Sequence, residues 1–157
     1  MADRLHRYHV IVTWTGNRGE GTRTHAAYSR DHVIAADGKP PIPGSSDPSF
    51  RGDPSRWNPE ELLLASLSAC HKLWYLGLCA QAGLSVLSYE DHAEATMTED
   101  RTGAGRFVAA TLRPRIVFSA GADLQKAAAL HRDAHAYCFI ANSVNFPVAC
   151  EPDLATT

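Results

Sequence analysis

The stretch NPEELLLASLSACHKLWYLGLCAQAG, residues 58–83, decides how this chain is read. Asn58 is a natural N-cap, Pro59 suits a first helical turn, and Glu60 and Glu61 favour the positive end of the helix dipole. Gly83 is a natural stop. Apolar residues occur nearly all round the cycle between them, which predicts a central, buried helix. Ser66, Ser68, His71, Lys72 and Gln81 interrupt the apolar run and argue against a membrane span.

Upstream, residues 37–57 (DGKPPIPGSSDPSFRGDPSRW) hold five prolines, so regular structure is not expected there. A loop of about 20 residues in a small domain is unusual and tends to be functional. Phe50, Trp57, Arg51 and Arg56 argue that it is ordered. Residues 8–15 (YHVIVTWT) read as a strand, Gly16 to Gly19 as a turn, and residues 22–29 as the returning arm of a hairpin. Residues 33–36 suit a third short strand.

Downstream, residues 84–97 and 106–118 read as two strands joined through TEDRTGAG. Residues 122–137 are alanine-rich and helical, 139–146 irregular, 147–151 a final strand, and the tail DLATT frayed. The expected class is α+β, antiparallel sheets packed by two long helices, in one domain spanning residues 1–157.

With 157 residues, 45% hydrophobic and 20% charged, the composition is that of an ordinary globular domain. A formal net charge of −2 gives no basic surface for nucleic acid or an anionic membrane. The start, MADRLHRYHV, lacks the apolar centre of a signal peptide, so the cytoplasm is the default location. The four cysteines form no CxxC pair; in a reducing compartment such thiols are more often buried or redox-active than disulfide-bonded.

Taken singly, Cys70 on an apolar helix is more often core filler than a nucleophile, and Glu60 is an ordinary helix-start charge. Together they carry more weight. The run NPEELLLASLSACH resembles the signature of the OsmC/Ohr family, the osmotically inducible and organic hydroperoxide resistance proteins. In that family an NPE motif opens a long helix, and a reactive cysteine follows ten residues after its glutamate. Those positions here are Glu60 and Cys70. The family's second cysteine, near the end of the next long helix, falls at Cys138 in AYCFIANSVNFPV, 68 positions later. The order of elements is similar from about residue 8 to 151.

The resemblance implies a two-cysteine peroxidase without a cofactor. Cys70 attacks the O–O bond of an organic hydroperoxide, Cys138 condenses with the resulting sulfenic acid, and a dithiol reductant such as a lipoyl protein restores both thiols. An ordinary thiol is mostly protonated at neutral pH, and burial raises its pKa further. A nearby cation is therefore needed, and arginine stays charged when desolvated. Glu60 resembles the family carboxylate that orients it. Arg51 is the first choice for that arginine, with Arg56 and Arg30 as rivals; Arg18 suits an Ohr-type arrangement better.

Ten helical residues span about 15 Å, so Glu60 and Cys70 cannot meet on one straight helix. Either the helix breaks or two chains build the site. The resemblance implies the second, an intertwined homodimer with active sites at the interface. An organic substrate asks for an apolar pocket, for which Trp74, Phe50, Trp57 and Phe139 are candidate walls. His71 points about 100° away from Cys70 and is expected to pack or hydrogen-bond. Cys79 and Cys150 are expected to be spectators. Two rival readings stand beside this one. His131, His135 and Cys138, at i, i+4 and i+7, could form a zinc site. The scaffold could also be a non-enzymatic binding or stress protein.

Overall fold

The computed structural model describes residues 4–157, which fall into two compact units divided between Leu62 and Leu63. The first unit carries an antiparallel sheet of β1 (Ile11–Trp14), β2 (His32–Ala35) and β3 (Ile42–Gly44), in that order. The expected hairpin is borne out only at its end: Tyr28 bridges Asn17 antiparallel and Ser29 N donates to Gly16 O at 3.0 Å, while the ladder proper pairs β1 with β2, Ile11 opposite Ala35 and Trp14 opposite His32. Polar groups hold the rest of residues 22–29 in turns. The Asn17 side chain accepts from the backbone of Gly19 and Gly21, both at positive φ, and curls the chain. The Arg30 guanidinium donates to the carbonyls of His25 and Tyr28 at 2.7 and 2.9 Å, and Trp14 Nε1 donates to that of Ser29.

The proline-rich loop is more regular than expected, since it contains β3 and a 3-10 turn at Pro48–Phe50. Asp47 caps that turn by accepting from Ser49 N at 2.7 Å. Ser45 donates to Asp31 and accepts from Asp53 N, locking the loop across fourteen residues. The apolar side chains of this unit are largely exposed: Val12 is 61% and Ile11 55% accessible, and the buried hydrophobic core begins only at Leu67.

Helix α1 (Pro59–Gln81) starts at the end of the first unit and lies mainly in the second. Asn58 and Glu61 cap it reciprocally: Glu61 N donates to Asn58 Oδ1 at 2.8 Å, and Asn58 N donates to Glu61 Oε2 at 3.3 Å. Gly83, at φ 76°, ends it. Leu67, His71, Tyr75 and Cys79 form its buried stripe, spaced by four. By length and composition alone α1 would also suit a bilayer, with a mean hydropathy of 1.3 over its most apolar window. Its stripe, however, packs into the protein's own core, and Ser68 donates to the carboxylate of Asp91.

The second unit continues with β4 (Val86–Asp91), β5 (Glu94–Glu99), β6 (Gly105–Leu112), β7 (Pro114–Phe118), α2 (Leu124–Tyr137), β8 (Val148–Cys150) and β9 (Asp153–Thr156). Each of the two long expected strands is divided in two, β4 with β5 and β6 with β7. The break is braced by Asp91, whose second oxygen accepts from Arg113 N at 2.7 Å. The strands sort into sheets of order β4-β7-β9 and β5-β6-β8. β8 and β9 join them in parallel, against β6 and β7. The tail is thus a strand rather than frayed, because Leu154 and its neighbours find an open ladder on β7. Tyr75, Cys79, Leu84, Ile116, Phe118, Ala127 and Ala134 form the core between the helices and the sheet. The α+β class stands.

Candidate active site

Cys70 lies midway along α1 and is partly buried; Cys138 is the C-cap of α2 and fully buried. Folding brings these two thiols, 68 residues apart in sequence, into the same neighbourhood. Burial pushes the Cys138 thiol up to about 11, and the neighbouring Cys70 thiol adds to that rise. Ala141 N donates to Cys138 Sγ at 3.4 Å, which opposes it. The C-cap position explains the placement. Backbone at φ −69°, ψ 107° takes the chain out of the helix at Cys138, and a 3-10 turn, Ala141–Ser143, folds back under its sulfur.

Three aromatic rings gather on residues that neighbour the pair in sequence. Trp74, one turn after Cys70, has its ring centre 5.2 Å from that of Tyr137 and 5.7 Å from that of Phe139, the residues on either side of Cys138. Tyr137 and Phe139 are 53% and 63% exposed, so this apolar surface is open. Of the four expected pocket walls, Trp74 and Phe139 come together here. Phe50 and Trp57 belong to the first unit and are exposed there. Tyr137 was missed; its place next to Cys138 was the available signal.

The arginine candidates divide. Arg18, Arg30 and Arg51 line one surface hollow of the first unit with His25 and Tyr28. Arg30 is engaged by two carbonyls and by the Tyr28 ring, 4.2 Å from its guanidinium. Arg56 faces Asp53 at 3.6 Å and Asp31 at 3.9 Å. Among the described residues, Arg18 and Arg51 have no carboxylate partner. Arg51 has φ 65°, the only non-glycine residue described at positive φ, a conformation that costs about 1–2 kcal/mol. Glu60 sits in the first turn of α1, which runs unbroken through Cys70.

The zinc reading of His131, His135 and Cys138 is corrected. Spacing put them on one helix face, but the helix is only partly buried: His135 is exposed while Cys138 turns to Cys70. His131 is paired instead with His71, Nδ1 to Nε2 at 2.9 Å. Cys150, expected to be a spectator, stands against both rings. Burial holds His131 down at about 3, with His71 adding to the effect, and pushes Cys150 up to about 12, with Asp91 and Glu151 adding to it. His71 packs and hydrogen-bonds, as expected. Cys79 lies in the apolar core.

The family model for OsmC-like proteins matches residues 52–153. The chain belongs to the OsmC-like family. A solved OsmC-like protein of unknown function from Vibrio cholerae O1 biovar eltor is similar at 34% identity and a TM-score of 0.85, over 94% of this chain and 99% of that one. Two more distant structures share the OsmC-like fold. One is an organic hydroperoxide resistance protein from Elizabethkingia anophelis with crystallant-derived thiocyanate bound (18% identity, TM-score 0.67, 97% of this chain and 99% of that one). The other is a putative organic hydroperoxide resistance protein from Vibrio cholerae with captopril bound in one of its active sites (17% identity, TM-score 0.66, 98% and 95%). No curated protein matches the chain.

Proposed function

We propose that this OsmC-like chain, working as one domain, is a two-cysteine hydroperoxide reductase of oxidative-stress defence. What supports the reading is the nearness of Cys70 and Cys138 together with an aromatic cluster on the neighbouring residues Trp74, Tyr137 and Phe139. The Cys70 thiolate attacks the terminal, hydrogen-bearing oxygen of the hydroperoxide; the O–O bond breaks, the alkoxide takes a proton and leaves as the alcohol, and Cys70 becomes a sulfenic acid. The Cys138 sulfur then attacks that of Cys70, expelling water and closing an intramolecular disulfide. An external dithiol, a lipoyl group being one of suitable chemistry, takes up the disulfide and returns both thiols. The aromatic surface favours organic hydroperoxides over hydrogen peroxide.

The cation for Cys70 comes, in this reading, from the arginine hollow, with Arg51 as the residue and Glu60 as its orienting carboxylate. The strained backbone at Arg51 and its lack of a carboxylate partner support the choice. Because α1 is continuous, Glu60 and Cys70 of one chain stay about 15 Å apart. A site using both requires a second copy, so the working form is a homodimer. The uncovered apolar residues of the β1-β2-β3 sheet support the same conclusion, since such a face needs a partner. The reducing cytoplasm suits thiols that must be restored after each turnover.

The test is a peroxidase assay with cumene hydroperoxide and dihydrolipoamide. Wild type should turn over and lose two free thiols on oxidation, with peptide mapping giving the Cys70–Cys138 disulfide. Cys70→Ser should be inactive. Cys138→Ser should react once and leave a trappable sulfenic acid. Equal turnover in all three, or a disulfide between other cysteines, would overturn the proposal.

A further inference from the structure

Two histidines and a cysteine meet inside the second unit, apart from the Cys70–Cys138 pair. His71 comes from α1, His131 from α2 and Cys150 from the end of β8. His71 Nε2 and His131 Nδ1 are 2.9 Å apart, and Cys150 Sγ lies 3.7 Å from the first and 3.5 Å from the second. The histidines are only 1% and 5% exposed. One nitrogen or sulfur from each of the three side chains lies within 4.8 Å of the others. Such a convergence of buried imidazole and thiol is ligand chemistry rather than apolar core packing.

We propose that His71, His131 and Cys150 form a binding site for one zinc ion. A circle through the three donor atoms has a radius of about 2.0 Å. Zinc bonds run about 2.0–2.1 Å to imidazole nitrogen and about 2.3 Å to sulfur, so an ion slightly out of the donor plane reaches all three. Its remaining face takes a fourth ligand, water being the simplest. At those bond lengths a regular tetrahedron separates nitrogen from sulfur by about 3.6 Å and nitrogen from nitrogen by about 3.3 Å. The two sulfur spacings already agree. The imidazoles, whose planes are 3° apart and face one another across a hydrogen bond, must part by a few tenths of an ångström and turn toward Cys150.

The donor set selects the class of ion. Imidazole and thiolate suit zinc and disfavour magnesium and calcium, which require oxygen. Cys150 binds as the thiolate and its proton passes to solvent. With ligands on three separate elements, the ion pins β8 to both helices, a stabilising role independent of peroxide chemistry.

Cobalt(II) is the probe, since it takes the same geometry and reports thiolate ligation by a charge-transfer band. The full chain, stripped with chelator and kept reduced, should bind one equivalent of Co2+ with that band, and Zn2+ should displace it and raise the melting temperature. Cys150→Ser should fold by circular dichroism, lose the band and bind Zn2+ at least tenfold more weakly. His71→Asn, an independent variant, should weaken Zn2+ equally. A Cys70→Ser/Cys138→Ser double variant should retain the band. Absence of the band in wild type, its survival in Cys150→Ser, or its loss in the double variant would overturn the site. None of these readouts depends on peroxidase activity.

Discussion

Trp74 meets Phe139 edge to face, ring centres 5.7 Å apart and planes at 86°, and so joins the turn after Cys70 to the residue after Cys138. The contact bridges the two helices at the point where their thiols come together. It gives the proposed peroxidase an apolar contact surface that costs little to desolvate.

Phe139→Ala should therefore discriminate between substrates. Phe139 is mostly exposed, so the fold should survive its loss. The kcat/KM for cumene hydroperoxide should fall about tenfold, the worth of roughly 1.4 kcal/mol of apolar contact, while that for hydrogen peroxide changes little. An equal loss for both substrates would mean the ring positions the thiols and does not contact the substrate.

Cys138 should impose a pH dependence. Burial pushes its thiol up to about 11, while an unfolded thiol titrates near about 8.5. Below the lower value both states hold the proton and the stabilising contribution is complete. Between the two, the unfolded chain releases the proton and the folded one keeps it, so stability falls as pH rises toward 11 and then levels. Disulfide closure needs the same thiolate. Its rate, followed by loss of free thiol after one equivalent of peroxide, should rise about tenfold per pH unit between roughly 7 and 10. A flat profile would assign the closing step to another thiol.

Glu60→Gln and Arg51→Ala should each slow oxidation of Cys70 without unfolding the chain. A loss on the order of 10²-fold is expected for the arginine, whose charge acts on the reacting atoms, and a smaller one for the glutamate, which acts through it. If Arg51→Ala reacts normally and Arg18→Ala does not, the cation is Arg18.

Asn58→Ala tests the helix that carries the proposed nucleophile. It removes the acceptor for Glu61 N at a buried cap and should cost about 1 kcal/mol in denaturant unfolding. Glu61→Ala, removing the weaker 3.3 Å arm, should cost less.

How far the sequence carried this reading varied by element. The ends of helix α1 were legible, because Asn58, Pro59 and Gly83 act locally; its burial was not, since the apolar pattern predicted cover nearly all round, whereas only Leu67, His71, Tyr75 and Cys79 are buried and Leu73 is exposed. The ends of α2 were nearly as legible: Asp123, within the expected start, caps it, and the helix proper begins at Leu124 rather than Ala122. The pairing of β1 was legible only in its antiparallel sense: Tyr28 does bridge back to Asn17, but the main ladder forms with residues 32–35, beyond a segment that Asn17 and Arg30 hold in turns. β9 was missed because a short strand adding in parallel carries no hairpin signal. Cys70 and Cys138 were identified from a two-part motif. His71 and Cys150 were not linked to His131, since their meeting depends on β8 returning beside β6, 79 residues along the chain from His71.

The unbroken course of α1 has a genetic consequence. Wherever two copies build each catalytic centre, a lesion at Glu60 in one polypeptide and a lesion at Cys70 in the other can offset each other. In a mixed pair, the intact sulfur of the first would face the intact carboxylate of the second. Co-expression of the inactive Cys70 form with the slowed Glu60 form should then restore one centre in every mixed pair, about a quarter of all centres at equal expression, whereas centres built from one chain would show no gain over the Glu60 form.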